Sequence, residues 1–378
     1  MIEHLSEIEY IRQVEANYKK EKGTPVCDIS HWNPGEEYIR DFINILSLPR
    51  IEFDPKYIYS YELPQKLVDK VEKKIGTSNY PSSSVVFFQN GTIAECNVIN
   101  FLSAINKKKI CIIDPAYFNV EYIMQRMGFD VDHVSLEFTN NKFVIPEQII
   151  QTKKYNAVWI TSPVYSSGYY FDDKELNKIR ELLDSGITVI TDECVTMLGK
   201  EVFKIVKPHQ NLISIFCPHK SIIMNSAKFA VVLFDSCYED IFNTWIDILS
   251  GGLLPSNILA INHFVSPNYE KCLNFMQTYT NSNLSDLKQI FCDRNKYCYI
   301  DQSIGQYCTI SYREISYEES SKRSFIRRLI NETGISLIPG YLNGYNAKFD
   351  FCFRINLALN KNDLKTKILL LDNYLRNQ

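Results

Sequence analysis

An acid, Asp192, closes the apolar run ITVIT, and a lysine, Lys220, follows the apolar run LISIF. A carboxylate and an amine at the carboxyl ends of neighbouring parallel strands face one crevice, which is where open α/β sheets bind ligands. A helix cap is the plain alternative for Asp192, and a solvated loop position for Lys220. Three more junctions have the same strand-then-helix character. Gln89 to Thr92, QNGT, ends a strand and opens a helix, so its amides suit an anion such as phosphate, with a tight turn as the competing reading. DPAYFNVEY sets Tyr117 and Tyr122 just past a strand, where core packing would also account for both rings. SPVYSSGYY, from Ser162 to Tyr170, is a Ser/Tyr/Gly loop for which an ordinary turn suffices.

The elements that must position these residues are short apolar runs alternating with helices between residues 84 and 235. SVVFF, KICIID, NAVWIT, ITVIT, LISIF and KFAVVLF lack period-2 alternation, as strands buried on both faces do. Helices are expected near 92–106, 118–128 and 173–184. The last of these has Asp172 or Asp173 as its cap, Leu176, Ile179 and Leu183 inward, and Gly186 at its end. The fold class is α/β: a large domain with a mostly parallel, helix-covered sheet, plus a smaller α+β domain. Residues 51–265 are assigned to the large domain and 266–378 to the small one. An N-terminal segment, 1–50, is expected to pack with the small domain.

Composition narrows the partners. The chain has 378 residues, 45% of them hydrophobic, and a formal net charge of -3, so no basic face for nucleic acid or anionic membrane is implied. Eleven cysteines without CxxC or Cys/His ligand spacing read as reduced cytoplasmic thiols, with no metal site. The first twenty residues are charged rather than leader-like, and no run approaches the ~18 apolar residues of a membrane span.

Taken together and in order, the junctions resemble the fold type I pyridoxal-phosphate enzymes, the aspartate aminotransferase superfamily, and within it the histidinol-phosphate and aromatic aminotransferase branch. The resemblance runs over roughly residues 55 to 360. It implies pyridoxal 5'-phosphate as cofactor, with Gly91 and Thr92 of NGT at its phosphate and Tyr117 of the PxYxxY-like segment stacked on its ring. Val120 stands where the second tyrosine of that pattern belongs. SPVYSSG aligns with the NPxNPTG loop and puts Tyr165 in place of the asparagine at the phenolic oxygen; its hydroxyl is expected to restore that contact. DExY becomes Asp192, Glu193, Cys194, Val195, keeping the acid at the ring nitrogen and losing the tyrosine. SxSK becomes Cys217, Pro218, His219, Lys220, which keeps the Schiff-base lysine and sets His219 beside it. Lys228 replaces the arginine of GxRxG, and Arg354 of FRINLAL matches the arginine that grips the substrate carboxylate. Tyr59 is the nearest match to a tyrosine that crosses to the partner's phosphate in a homodimer, with Tyr61 as rival, and Trp32 of HWNP falls near a substrate-lining segment.

The chemistry these residues would perform is transfer of an amino group between an amino acid and a 2-oxo acid. Lysine forms an imine, exchanges it for a substrate amine and then carries a proton. An acid beside the ring nitrogen favours its protonated form. Arginine holds a carboxylate through two parallel hydrogen bonds, and Lys228 keeps the charge without that fork. Loss of both phenolic-oxygen partners leaves open a lyase, cyclase or oxygen-using enzyme acting on an amino acid. A non-catalytic ligand-binding descendant is also open.

Overall fold

The computed structural model describes residues 2–50, 57–80, 82–139, 141–151, 154–249, 251–299 and 303–378. The apolar runs become the strands of one seven-stranded sheet: β1 (Ser83–Phe88), β2 (Lys109–Asp114), β3 (Asp130–Ser135), β4 (Ala157–Thr161), β5 (Thr188–Glu193), β6 (Leu212–Phe216) and β7 (Ala230–Asp235). Their order across the sheet is β1-β7-β6-β5-β4-β2-β3. Only β7 runs against its neighbours; it pairs antiparallel with both β1 and β6. The other pairings are parallel, so β1, β2, β4, β5 and β6 deliver their carboxyl ends to one edge.

Every residue of β4, β5 and β6 is buried, as expected of strands covered on both faces. Strand β3, DVDHVS, was not foreseen. It lies at the sheet edge, carries no fully buried residue, and its acids and histidine hide it from a reading based on apolar runs. The Asp173–Asp184 helix keeps its expected bounds, with the Asp172 carboxylate accepting the Lys174 and Glu175 amides. Towards the C-terminus two separate helices, Tyr317–Ser320 and Arg323–Thr333, follow one another.

A second core joins the two ends of the chain. Strands β8 (Tyr297–Tyr299), β9 (Tyr307–Tyr312) and β10 (Phe351–Asn356) form an antiparallel sheet in the order β8-β9-β10. Ile11, Val14 and Ile29 of the N-terminal segment share its core with Ile310, Leu329, Phe353 and Leu371. The helix Asn268–Ile290 straddles both cores: Tyr269, Cys272 and Met276 pack into the larger, Leu284 and Leu287 into the smaller. The division into 1–50, 51–265 and 266–378 is proposed on this packing; its first boundary adjoins residues 51–56, outside the described ones.

Candidate active site

The five strand ends open on a cavity of about 470 Å³. Trp32, Gly91, Thr92, Tyr117, Tyr165, Asp192, Lys220 and Lys228 all line it, so eight of the residues singled out by type and spacing converge. Its floor is Asp192, 3% exposed, the fifth residue of β5 and paired with Ile215 of β6. Because it sits within a strand, it caps no helix. Its Oδ1 accepts the Cys194 amide at 3.1 Å. Burial raises its pKa, against the pull of Lys220 and Cys194.

Lys220 is carried on the one-turn helix Pro218–Ser221 directly after β6. The Tyr269 hydroxyl holds this turn by donating to the Pro218 carbonyl at 2.7 Å, and the Tyr38 hydroxyl by donating to Ile222 at 2.9 Å. Burial works against the Lys220 ammonium, but Cys194, Cys217, Glu95 and Asp192 around it outweigh this and raise its pKa. Lys228, just before β7, has its pKa lowered by burial and by the charge of Lys220. Its Nζ donates to the Asn225 carbonyl at 2.9 Å.

Beside Lys220, the helix Gly91–Ala104 begins at the cavity wall. Asn90 caps it through the Ile93 amide at 3.1 Å, and the first-turn amides of Gly91 and Thr92 have no acceptor within the helix itself. A Cβ on Gly91 would lie 2.7 Å from Cys194 Sγ, 3.1 Å from Cys217 Sγ and 3.4 Å from Lys220 Nζ. Gly91→Ala is therefore expected to push the thiols and the lysine out of place, costing about 1–3 kcal/mol. The checks are a lower Tm and a weaker Kd for pyridoxal phosphate by fluorescence titration.

Arg354, in β10, is fully buried and is screened from the cavity by rings. Its guanidinium lies 4.4 Å from the Trp32 ring centre and 4.7 Å from that of Tyr307, an arrangement of cation–π contacts. Nη2 donates to the Ser30 carbonyl at 2.8 Å, Nη1 to Ser166 Oγ at 3.4 Å, and Nε has no partner. Tyr165 lies close enough to this guanidinium for its charge to act on the phenol. Burial pushes the Tyr165 phenol up to about 12 although Arg354 opposes it. Trp32 is positioned by Asn356 Nδ2, which donates to the His31 and Asn33 carbonyls at 2.7 and 2.8 Å.

One assignment is corrected. His219 does not face the cavity: it is fully buried, and its Nε2 lies 3.1 Å from Nδ1 of His263. Since His263 Nε2 donates to Asn268 Oδ1 at 3.0 Å, its Nδ1 is the acceptor and His219 Nε2 carries the proton. Burial, His263 and Lys74 push His219 down to about 3, so it is a neutral strut beneath the Lys220 turn and not a cofactor contact. Tyr59, assigned to the partner's phosphate, lies off this chain's own cavity wall, its ring centre 6.2 Å from that of Tyr57 and 5.3 Å from that of Tyr61.

Sequence reasoning missed Glu95, Thr161, Ser166, Cys194, Asn225 and Tyr307 on the wall. Glu95 was findable, because it follows Gly91 by four positions and so shares its helix face. Tyr307 comes from β9 of the smaller sheet and had no local signal.

Two buried glutamates make stability fall with pH. Burial pushes both Glu95 and Glu193 up to about 8. Their folded-state pKa exceeds the unfolded value, so the folded chain holds protons that the unfolded chain has released, and stability declines from about pH 4.5 to about pH 8. Chemical denaturation across this window is expected to show a loss on the order of 1 kcal/mol per pH unit per group, with a shallower slope in Glu193→Gln.

The residues fit pyridoxal phosphate: a buried acid for a cationic ring nitrogen, an amine beside it, the Tyr117 ring on the wall, and a helix N-terminus with Lys228 for a phosphate. Comparison with known proteins agrees. The family described as aminotransferase class I and II matches residues 33–213. The fold is similar to a putative kynurenine aminotransferase of Saccharomyces cerevisiae at 15% identity and a TM-score of 0.74, covering 98% of this chain and 95% of that one. An aspartate aminotransferase of Thermotoga maritima aligns over 99% of both chains at 16% identity and a TM-score of 0.72. A pyridoxal-phosphate-bound C-S lyase of Staphylococcus hominis aligns over 93% of this chain and 88% of that one, at 15% identity and a TM-score of 0.72. No curated protein sequence matches the chain.

Proposed function

We propose that the chain, whose residues 33–213 match the aminotransferase class I and II family, is a fold type I enzyme that uses pyridoxal 5'-phosphate to move an amino group between an amino acid and a 2-oxo acid. The observation that carries this reading is the placement of Lys220 and Asp192 on one cavity beneath the Gly91 helix start. When bound, pyridoxal phosphate supplies the electron sink for the bond broken at the substrate's α-carbon. Lys220 holds the cofactor's aldehyde carbon and, as a free amine, moves the α-proton. Asp192, fixed by the Cys194 amide, offers its negative charge to the ring nitrogen. Gly91, Thr92 and Lys228 hold the phosphate, Tyr117 stacks on the ring, and Arg354 takes the substrate carboxylate.

The screening of Arg354 adds a condition. A carboxylate reaches the guanidinium only when Trp32, 39% exposed and the least buried of its covering rings, yields. The ring then closes over the bound substrate and keeps water from it. The Tyr165 hydroxyl keeps its own proton to donate to the cofactor's phenolic oxygen, because a guanidinium beside it can only donate. A homodimer is proposed from the exposed Tyr57, Ile248 and Leu254, with Tyr59 reaching toward the partner's phosphate. A cytoplasmic site of action is proposed from the eleven free cysteines.

The experiment is a half-reaction. Protein loaded with pyridoxal phosphate and given an amino acid alone should convert its cofactor to the amine form and release one equivalent of 2-oxo acid, reversibly on adding a different 2-oxo acid. Continuous product with no 2-oxo acid added would overturn transamination in favour of elimination or oxidation.

A further inference from the structure

One buried carboxyl on the cavity wall has no part in the reaction above: Glu95. It is 1% exposed, and its Oε2 has no hydrogen-bond partner among the described residues. Its Oε1 accepts the Cys194 thiol at 3.9 Å. One oxygen of Glu95, one of Asp192 and the sulfur of Cys194 lie within 4.8 Å of one another. A buried, unpartnered carboxyl oxygen aimed into a ligand cavity, beside a second acid, is costly unless it handles charge there.

The charges facing it do not allow both acids to ionise freely. Lys220, from the turn after β6, is the one ammonium among the described residues that acts on Glu95. Asp192 and Cys194 face it from β5 and its end, Tyr117 from the loop after β2, and Cys96 from its own helix. One ammonium balances one carboxylate, and a second negative charge so close is disfavoured. Burial, followed by the charge of Asp192, pushes Glu95 up to about 8 against the pull of Lys220 and Cys194.

We propose that Glu95 is a second acid of the site that shares one proton with Asp192, so that the pair, and not Asp192 alone, sets the charge presented to the ring end of the cofactor. Its bearing on the cofactor rests on the pyridoxal-phosphate reading; the shared proton itself does not. Below its titration the pair carries one negative charge. Above it the pair carries two, and every cation in the cavity becomes harder to deprotonate. Glu95 is thus a positioning residue that makes the cofactor's protonation depend on pH.

Two measurements test this. In the cofactor-free protein with ¹³C-labelled glutamate carboxyls, the signal missing from Glu95→Gln should titrate near pH 8, and in Asp192→Asn its midpoint should fall by roughly one pH unit or more. A Glu95 signal that titrates in the ordinary carboxyl range, or ignores Asp192→Asn, overturns the shared proton. In the loaded protein, the cofactor absorbance should change with pH through the same midpoint, and Glu95→Gln should keep the band and lose that change. A band with the same pH profile in both proteins overturns the coupling to the cofactor. Absence of any band in the wild type overturns the cofactor reading instead, and the carboxyl titration still decides the pair. Glu193, also pushed to about 8, persists in Glu95→Gln and serves as the internal reference.

Discussion

Lys220→Ala is expected to lower turnover by roughly 10⁴-fold, the upper range for loss of a positioned proton-transfer group, and to abolish the lasting yellow colour of the loaded protein. Among the described residues, the variant removes the one ammonium acting on Glu95 and Asp192, so both carboxyls should rise further in pKa. Because the lost side chain lined the cavity, a small primary amine has room to enter. Added ethylamine should therefore restore part of the rate without restoring the colour-bearing link to the protein. A variant that turns over at the wild-type rate would remove Lys220 from the chemistry.

Arg354→Lys is expected to be the second largest effect. The guanidinium is stacked between Trp32 and Tyr307 and bonded to Ser30 and Ser166, all without solvent. An ammonium cannot span those acceptors and also grip a carboxylate in two places. Truncating one partner of such a buried charge pair costs about 2–5 kcal/mol. At about 3 kcal/mol, kcat/KM for the amino acid falls by roughly 100-fold, mostly through KM, while the cofactor band persists. An amine lacking a carboxylate should react at the same rate in both proteins. Loss of the cofactor with an unchanged KM would show that Arg354 supports the cofactor instead.

How much of this was legible depends on where each residue stands relative to a strand end. Asp192, Lys220 and Gly91 follow apolar runs directly, and a run buried on both faces announces itself. The orientation of β7 was not legible, because antiparallel and parallel strands read alike when both faces are covered. His219 was misplaced since adjacency to Lys220 says nothing about side-chain direction; the one-turn helix sends His219 to His263 while Lys220 lines the cavity. The rings over Arg354 come from Trp32 and Tyr307, far apart in the chain, and are joined only when the N-terminal segment lies along β10. Glu95 was overlooked because interest stopped at the helix start, although helical period carries the same face on to the next turn.

The central claim is that Lys220 holds pyridoxal phosphate, and borohydride reduction of the loaded protein tests it most directly. Reduction makes the lysine–cofactor bond permanent, so peptide mass mapping should find the phosphopyridoxyl group on the peptide containing Lys220, at about one per chain. An unmodified Lys220, with the label absent or on Lys228 alone, would contradict the account.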